Sequence, residues 1–132
     1  MTAYVLARPG LIASPLDPVP GQAVRLAAST CASCSRPEFP ARPQCPACGA
    51  SATTEGLPEH AVLAGYTTVL HPPPGAQVAV PYHVGIARYS NGLCILGLLD
   101  APVDIALELG MDLVTIATEP SPGALTYAFR LA

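Results

Sequence analysis

Apolar positions along this chain recur mostly at a spacing of two, the period of a strand whose side chains alternate between two faces. Residues 111–118, MDLVTIAT, show it best: Met111, Leu113, Thr115 and Ala117 fall on one side, and Asp112, Val114, Ile116 and Thr118 on the other. Residues 61–70, AVLAGYTTVL, are rich in β-branched and apolar residues and predict a strand, with Gly65 marking a bulge or a close backbone approach. Residues 81–89, PYHVGIARY, and 93–99, LCILGLL, flank Asn91-Gly92. That dipeptide predicts a tight primed hairpin turn with positive φ at both central positions. Residues 124–131, ALTYAFRL, predict a closing strand after the turn Pro120-Ser121-Pro122-Gly123. Residues 23–30, AVRLAAST, predict a first strand that leads into a cluster of cysteines. Beyond the first 22 residues, helical character is confined to 102–110, PVDIALELG, where Pro102 suits a first turn and Gly110 a stop. Residues 71–80 contain three consecutive prolines, which break any ladder, and predict a loop.

Beyond residue 59 this makes five strands with a helix-like segment between the third and fourth. The pattern predicts a small Greek-key barrel of the OB type; a β-sandwich would show about seven strands.

Composition narrows the class. The chain has 132 residues, the size of one domain, or of one small domain with a stapled appendage. Hydrophobic residues make up 51% and charged residues only 11%, against about 25% in an ordinary soluble domain. That is the reverse of a disordered chain. The 16 prolines exclude a long helical bundle. No run of about 20 apolar residues offers a membrane-spanning helix. The first residues, MTAYVLARPGLIASPLDP, lack the basic region and clean apolar run of a signal peptide, so the expected compartment is the cytoplasm. The net charge of −3 argues against a nucleic-acid binder, which would carry a basic patch. A surface so poor in charge suggests that a partner covers part of it.

The strongest chemical signal is Cys31-Ala32-Ser33-Cys34, ten residues, then Cys45-Pro46-Ala47-Cys48-Gly49. Two CxxC pairs at this separation predict a tetrahedral four-thiolate site, because two intervening residues let a tight knuckle aim both sulfurs at one ion. The metal ligands are therefore Cys31, Cys34, Cys45 and Cys48, and the expected metal is structural zinc, with iron second. Two disulfides would need an oxidising compartment. A redox CxxC would open a helix, whereas these pairs sit among prolines. Such a site leaves no open position for substrate. The chain then divides into a proline-rich arm (1–22, extended with short strand-like or helical pieces), a zinc ribbon (23–58) and the barrel (59–132).

Other candidates for chemistry are weaker. Cys94 lies in an apolar run and reads as a small core side chain rather than a nucleophile. His60, His71 and His83 belong to no triad or metal spacing and read as surface or interface residues. Asp100, Asp104, Glu108 and Asp112 stand four apart and read as a solvated face, with the first two favouring the dipole of the short helix. The aromatics Tyr66, Tyr82, Tyr89, Tyr127 and Phe129 could stack bases, but only Arg88 and Arg130 would supply charge beside them. No catalytic residue is assigned.

These residues resemble a family. CASC, the spacer with EFPAR, CPACG, AGYTTVLH, VPYHVGIARY, the NG hairpin into ILGLLD, ELGMDLV and TYAFRLA are similar, in this order, to acyl-CoA-associated proteins that join a rubredoxin-like zinc ribbon to an OB-fold. The family is called domain of unknown function thirty-five, and the likeness spans about residues 25–132. Phe39-Pro40, Gly110-Met111 and the terminal Tyr-x-Phe are its more specific marks. The resemblance implies a non-catalytic partner subunit of a thiolase-like condensing or retro-aldol enzyme, or of an acyl-CoA hydratase. It further implies that such a subunit shapes the acyl-CoA site or bridges catalytic subunits, while catalysis stays on the partner chain. The sequence departs from the family at Ser35, where a glycine usually follows the first knuckle, and in the proline-rich stretch that replaces a docking helix.

Overall fold

In the computed structural model, which describes residues 5–6, 10–75 and 79–132, the chain is all β. The arm's residues 1–4 and 7–9, and residues 76–78 of the proline loop, lie outside the described residues. No helix among those described is long and apolar enough to cross a membrane.

The five strands expected beyond residue 59 are present: β6 (His60–Val69), β7 (Tyr82–Arg88), β8 (Cys94–Asp100), β9 (Asp112–Ser121) and β10 (Ala124–Leu131). β6, β7 and β8 form an antiparallel meander. β10 then pairs parallel to β8 through Phe129↔Leu99 and Arg130↔Asp100, and β9 pairs antiparallel with both β10 and β6. The sheet thus closes in the order β6-β7-β8-β10-β9, the five-stranded Greek-key barrel of the OB type. The register of β6 against β7 slips between Leu63 and Gly65, where the bulge was expected. β9 runs through Pro120 to Ser121, so the turn that follows is only Pro122-Gly123.

Before the barrel, β3 (Arg25–Cys31) pairs with β2 (Ile12–Ser14), β4 (Pro37–Glu38) and β5 (Ala52–Gly56). In the described parts of the arm two short strands alternate with turns and bends, Pro20-Gly21 being one turn, and β1 (Val5–Leu6) lies parallel to β10. Residues 21–24 continue the sheet beyond β6 along the edge of β9. Gly21 donates to the Ala117 carbonyl at 2.8 Å and Val24 to that of Thr115 at 2.9 Å.

Two local expectations are corrected. Residues 102–110 are turns, not a helix. Nine residues barely exceed a costly helix nucleus, and here the backbone bonds elsewhere: Gly110 N–H donates to the Leu63 carbonyl at 2.8 Å and Leu63 N–H to that of Met111 at 2.9 Å. The segment covers the edge of β6 that β9 has left. The β7–β8 turn is not primed. Gly92 has φ +91°, but Asn91 is not in the positive-φ region. Gly92 N–H donates to the Tyr89 carbonyl and Tyr89 N–H to that of Leu93, both at 2.9 Å, so the loop has three residues, with glycine in the left-handed position. Asn91 contributes its side chain instead, accepting the Leu93 N–H at 3.0 Å.

One core unites the two parts. Val24, Leu26, Ala28 and Leu57 pack in the same cluster as Leu63, Ile95, Leu99, Leu113 and Phe129. Phe129 is fully buried against Gly97 of β8, where a Cβ would lie 2.9 Å from the rings of both Phe129 and Tyr127. Both faces of β9 are covered. Leu113 and Ala117 join the main core, while Val114 and Ile116 pack with Ala128 under Ala23 and Leu98.

Tyr89 is buried in this core with its hydroxyl 2.6 Å from Thr115 Oγ1. Burial pushes its phenol up to about 12 from 10, while the Thr115 hydrogen bond pulls the other way and Tyr127 adds a further upward push. As pH rises from 10 towards 12, the unfolded chain gives up a proton that the native state keeps. The stabilisation is therefore complete below pH 10 and declines through that window. Denaturant unfolding above and below pH 10 is expected to show a smaller alkaline loss in Tyr89→Phe than in the parent chain. An equal loss in both would refute the assignment.

Candidate metal centre

Each CxxC pair folds as a tight knuckle. The Cys31 carbonyl accepts the Ser35 N–H at 3.1 Å, and the Cys45 carbonyl accepts the Gly49 N–H at 2.8 Å. Both turns end in the left-handed region, at Ser35 (φ +63°) and Gly49 (φ +77°). The knuckles hang from a common base. Cys31 ends β3, which pairs with β5 up to Cys31↔Ala52, and an isolated bridge joins Gln44 to Ser51. The folding of Cys31, Cys34, Cys45 and Cys48 towards one point follows from these pairings, and their sulfurs all lie within 4.8 Å of one another.

The spacing fits a metal rather than disulfides. Cys31 and Cys48 sulfurs are 3.5 Å apart, Cys34 and Cys45 3.7 Å, and Cys34 and Cys48 3.9 Å. A tetrahedron with zinc–sulfur bonds of about 2.3 Å has edges of about 3.8 Å, whereas a disulfide needs about 2.05 Å. Amides of the knuckles point at the sulfurs: Ser33 and Cys34 N–H donate to Cys31 Sγ at 3.3 and 3.4 Å, and Ala47 N–H to Cys45 Sγ at 3.4 Å. The Cys34 amide, helped by that of Ser33, lowers the Cys31 thiol to about 6 against some burial. The amides of Cys48 and Ala47 lower Cys45. At Cys34 the Arg36 amide favours the thiolate, but Cys31 and Cys45 outweigh it and the pKa rises. At Cys48 the Ala50 amide is likewise outweighed, chiefly by Cys31, and the thiol is pushed up to about 11. The four thiols therefore compete: without a cation, ionising one disfavours ionising its neighbours. A shared cation would let all four ionise, so the donor set suits a soft divalent ion.

Ser35 carries an avoidable strain. A left-handed L-residue costs about 1–2 kcal/mol, of which glycine's extra chain entropy would return about 0.5–1 kcal/mol. Ser35→Gly is expected to raise the thermal midpoint by a few degrees and to slow metal loss to a chelator. A lowered midpoint would show that the serine side chain contributes more than its backbone costs.

The spacer between the knuckles ties the centre to β3 and to the barrel. Arg42 N–H donates to the buried Ser29 hydroxyl at 3.0 Å, and Phe39 meets Tyr127 edge-to-face, centroids 5.9 Å apart at 89°. The role of Phe39 is not visible in the sequence pattern, because its partner lies 88 residues further on.

The remaining candidates do not form a second site. Cys94 is exposed, which corrects its reading as core: it opens β8, whose inward positions are Ile95 and Leu99, and it faces Arg88 across the hairpin. His83 is buried within the chain, which corrects its reading as a surface or interface residue. Thr68 Oγ1 lies 2.9 Å from its Nδ1, and its Nε2–H donates to the Pro102 carbonyl at 3.3 Å, pinning the loop after β8. His60 and His71 are exposed. Asp100, Asp104, Glu108 and Asp112 are exposed, and without a helix their spacing of four does not align them. Tyr89 and Phe129 are core, while Tyr66 is exposed, with its hydroxyl donating to the Leu107 carbonyl at 3.4 Å.

Together the barrel and the four-cysteine cluster define a ribbon-and-barrel protein whose one metal-type centre, among the described residues, is closed by its own side chains. Its neighbours among solved structures are DUF35 proteins. A chain of the "Ltp2-ChsH2(DUF35) aldolase" superposes with a TM-score of 0.68 at 28% identity, over 81% of this chain and 84% of that one. A protein of unknown function from the DUF35 family of Sulfolobus solfataricus superposes at 0.53 with 17% identity, over 82% and 76%. No family model and no curated protein sequence matches the chain.

Proposed function

We propose that this chain is the non-catalytic accessory subunit of a cytoplasmic acyl-CoA-processing complex. In this reading its partner is a thiolase-like condensing or retro-aldol enzyme, and the chain helps form or gate the partner's acyl-CoA site. The observation that carries the reading is the similarity, over most of both chains, to a DUF35 chain from an aldolase assembly. The surface supports it. Few charges are present, and Ile86 and Leu96, paired across β7 and β8, are exposed, as are Val103, Ile105 and Leu109 in the loop that follows.

Cys31, Cys34, Cys45 and Cys48 would hold a structural zinc ion, with iron the second choice. The metal would supply rigidity only, because four protein thiolates complete its shell and leave no position for substrate. The arm (1–22), ribbon (23–58) and barrel (59–132) are then three working parts: the zinc fixes the ribbon, and the ribbon is fixed to the barrel.

The test is co-expression with the thiolase-like enzymes of the same genome, followed by affinity purification. Stoichiometric co-elution with one of them, and a gain in its acyl-CoA turnover, is the expected result. Co-elution with an acyl-CoA hydratase instead would move the partner assignment. A chain that remains alone and retards single-stranded oligonucleotides in a salt-dependent manner would overturn the reading.

A further inference from the structure

The four sulfurs are not equivalent. Cys31 and Cys45 are buried, whereas Cys34 and Cys48, the second cysteine of each knuckle, are exposed. Burial keeps an oxidant away from Cys31 and Cys45, while Cys34 and Cys48 are open to it. The close approaches between sulfurs run from one knuckle to the other: 3.5 Å for Cys31 and Cys48, and 3.7 Å for Cys34 and Cys45.

We propose that Cys34 and Cys48 are a peroxide-reactive pair whose oxidation closes cross-knuckle disulfides, Cys48 with Cys31 and Cys34 with Cys45, and dismantles the metal centre. The inference rests on the metal-site reading and not on the identity of the partner enzyme. The Cys48 thiolate attacks one oxygen of hydrogen peroxide. The O–O bond breaks, hydroxide leaves and takes up a proton to become water, and Cys48 becomes a sulfenic acid. The Cys31 thiolate attacks that sulfur, the S–S bond forms, the S–O bond breaks, and a second hydroxide leaves as water after protonation. Two thiolates have lost two electrons and one peroxide has become two waters. Cys34 and Cys45 follow the same course with a second peroxide. Disulfide sulfurs are poor metal ligands, so the ion is released once the first pair closes.

The experiment uses the zinc-loaded Cys94→Ser chain, which removes the fifth, exposed thiol from the barrel. Hydrogen peroxide is added in the presence of a chromogenic zinc chelator, and the product is digested without reduction by a glutamate-specific protease. Cleavage after Glu38 and Glu55 separates Cys31 and Cys34 from Cys45 and Cys48. The expected result is zinc release in step with peroxide consumption, two peptides that stay joined until reduced, and a sulfenic-acid probe that labels Cys34 and Cys48. Disulfides within each CxxC, which leave the peptides separate, would overturn the proposal. Probe label on Cys31 and Cys45, or peroxide that leaves the zinc in place, would do the same. A purified chain that takes up no metal refutes the metal-site reading by itself, and the disulfide map of that chain still decides the pairing.

Discussion

Removing the metal is expected to unfold the knuckles and their spacer while the barrel stays folded. The reason lies in how little else holds that region. β4 has two residues and β5 is almost wholly exposed, so the sheet around the knuckles buries few side chains of its own. Phe39 is the spacer's contact with the core, and it is only half-buried. By contrast, Leu26 and Ala28 of β3 are fixed in the shared core and should hold without the ion. Metal binding in small thiolate sites supplies about 10–16 kcal/mol of apparent free energy, which is folding free energy when no site exists in the unfolded chain. Treatment with a strong chelator should therefore collapse the amide dispersion of residues 32–51 and leave that of β6 to β10 in place. Cys45→Ser, at a buried ligand position, should reproduce that spectrum without chelator. An apo chain whose knuckle resonances do not move would show that packing alone builds the centre.

The second large effect is expected at Phe129→Ala. The ring is fully buried on β10 and fills the space that Gly97 leaves on β8. Removing it costs the transfer of the ring plus the cavity left behind, about 3–5 kcal/mol. Against a typical stability of about 5–15 kcal/mol, that lowers the thermal midpoint by on the order of 10–20 °C. The loss should reach the metal centre, since Tyr127 packs between Phe129 and Phe39, with centroids 5.8 and 5.9 Å away. Gly97→Ala alone is expected to cost about 1–3 kcal/mol by overpacking. In the Phe129→Ala background one of the two close contacts of the added methyl is gone and the Tyr127 ring has space to shift, so the two substitutions together should cost less than their sum. Additive losses in urea unfolding would show that the two positions do not share one space.

The four-cysteine cluster and the barrel strands were legible because each leaves a local mark. A CxxC knuckle is read within four residues, and a half-buried strand within eight. β4 and β5 left none: one is two residues long with a proline, and the other, ATTEG, is polar because both its faces meet solvent. The helix expected at 102–110 failed because the segment's backbone bonds to β6 at Leu63 and only Leu107 of its apolar residues packs on the core, and no local signal separates a short helix from a docked loop. Cys94 and His83 were misplaced for a related reason. An apolar run does not say which alternate residues point inward, and that phase is set by the partner strand.

The sequence by itself determined the parts: two CxxC knuckles, five strands after them, and a composition short of charge. These are properties of spacing and composition, and they survive without knowing what touches what. Only the tertiary structure decided how the parts depend on one another. It closed the barrel through the parallel pairing of β8 and β10 and placed Leu26 and Leu57 in the same core as Phe129. It put Phe39 against Tyr127 and made two of four equivalent-looking cysteines exposed. Each of those is a contact between residues far apart in the chain, and such contacts depend on register and packing, which no local window contains.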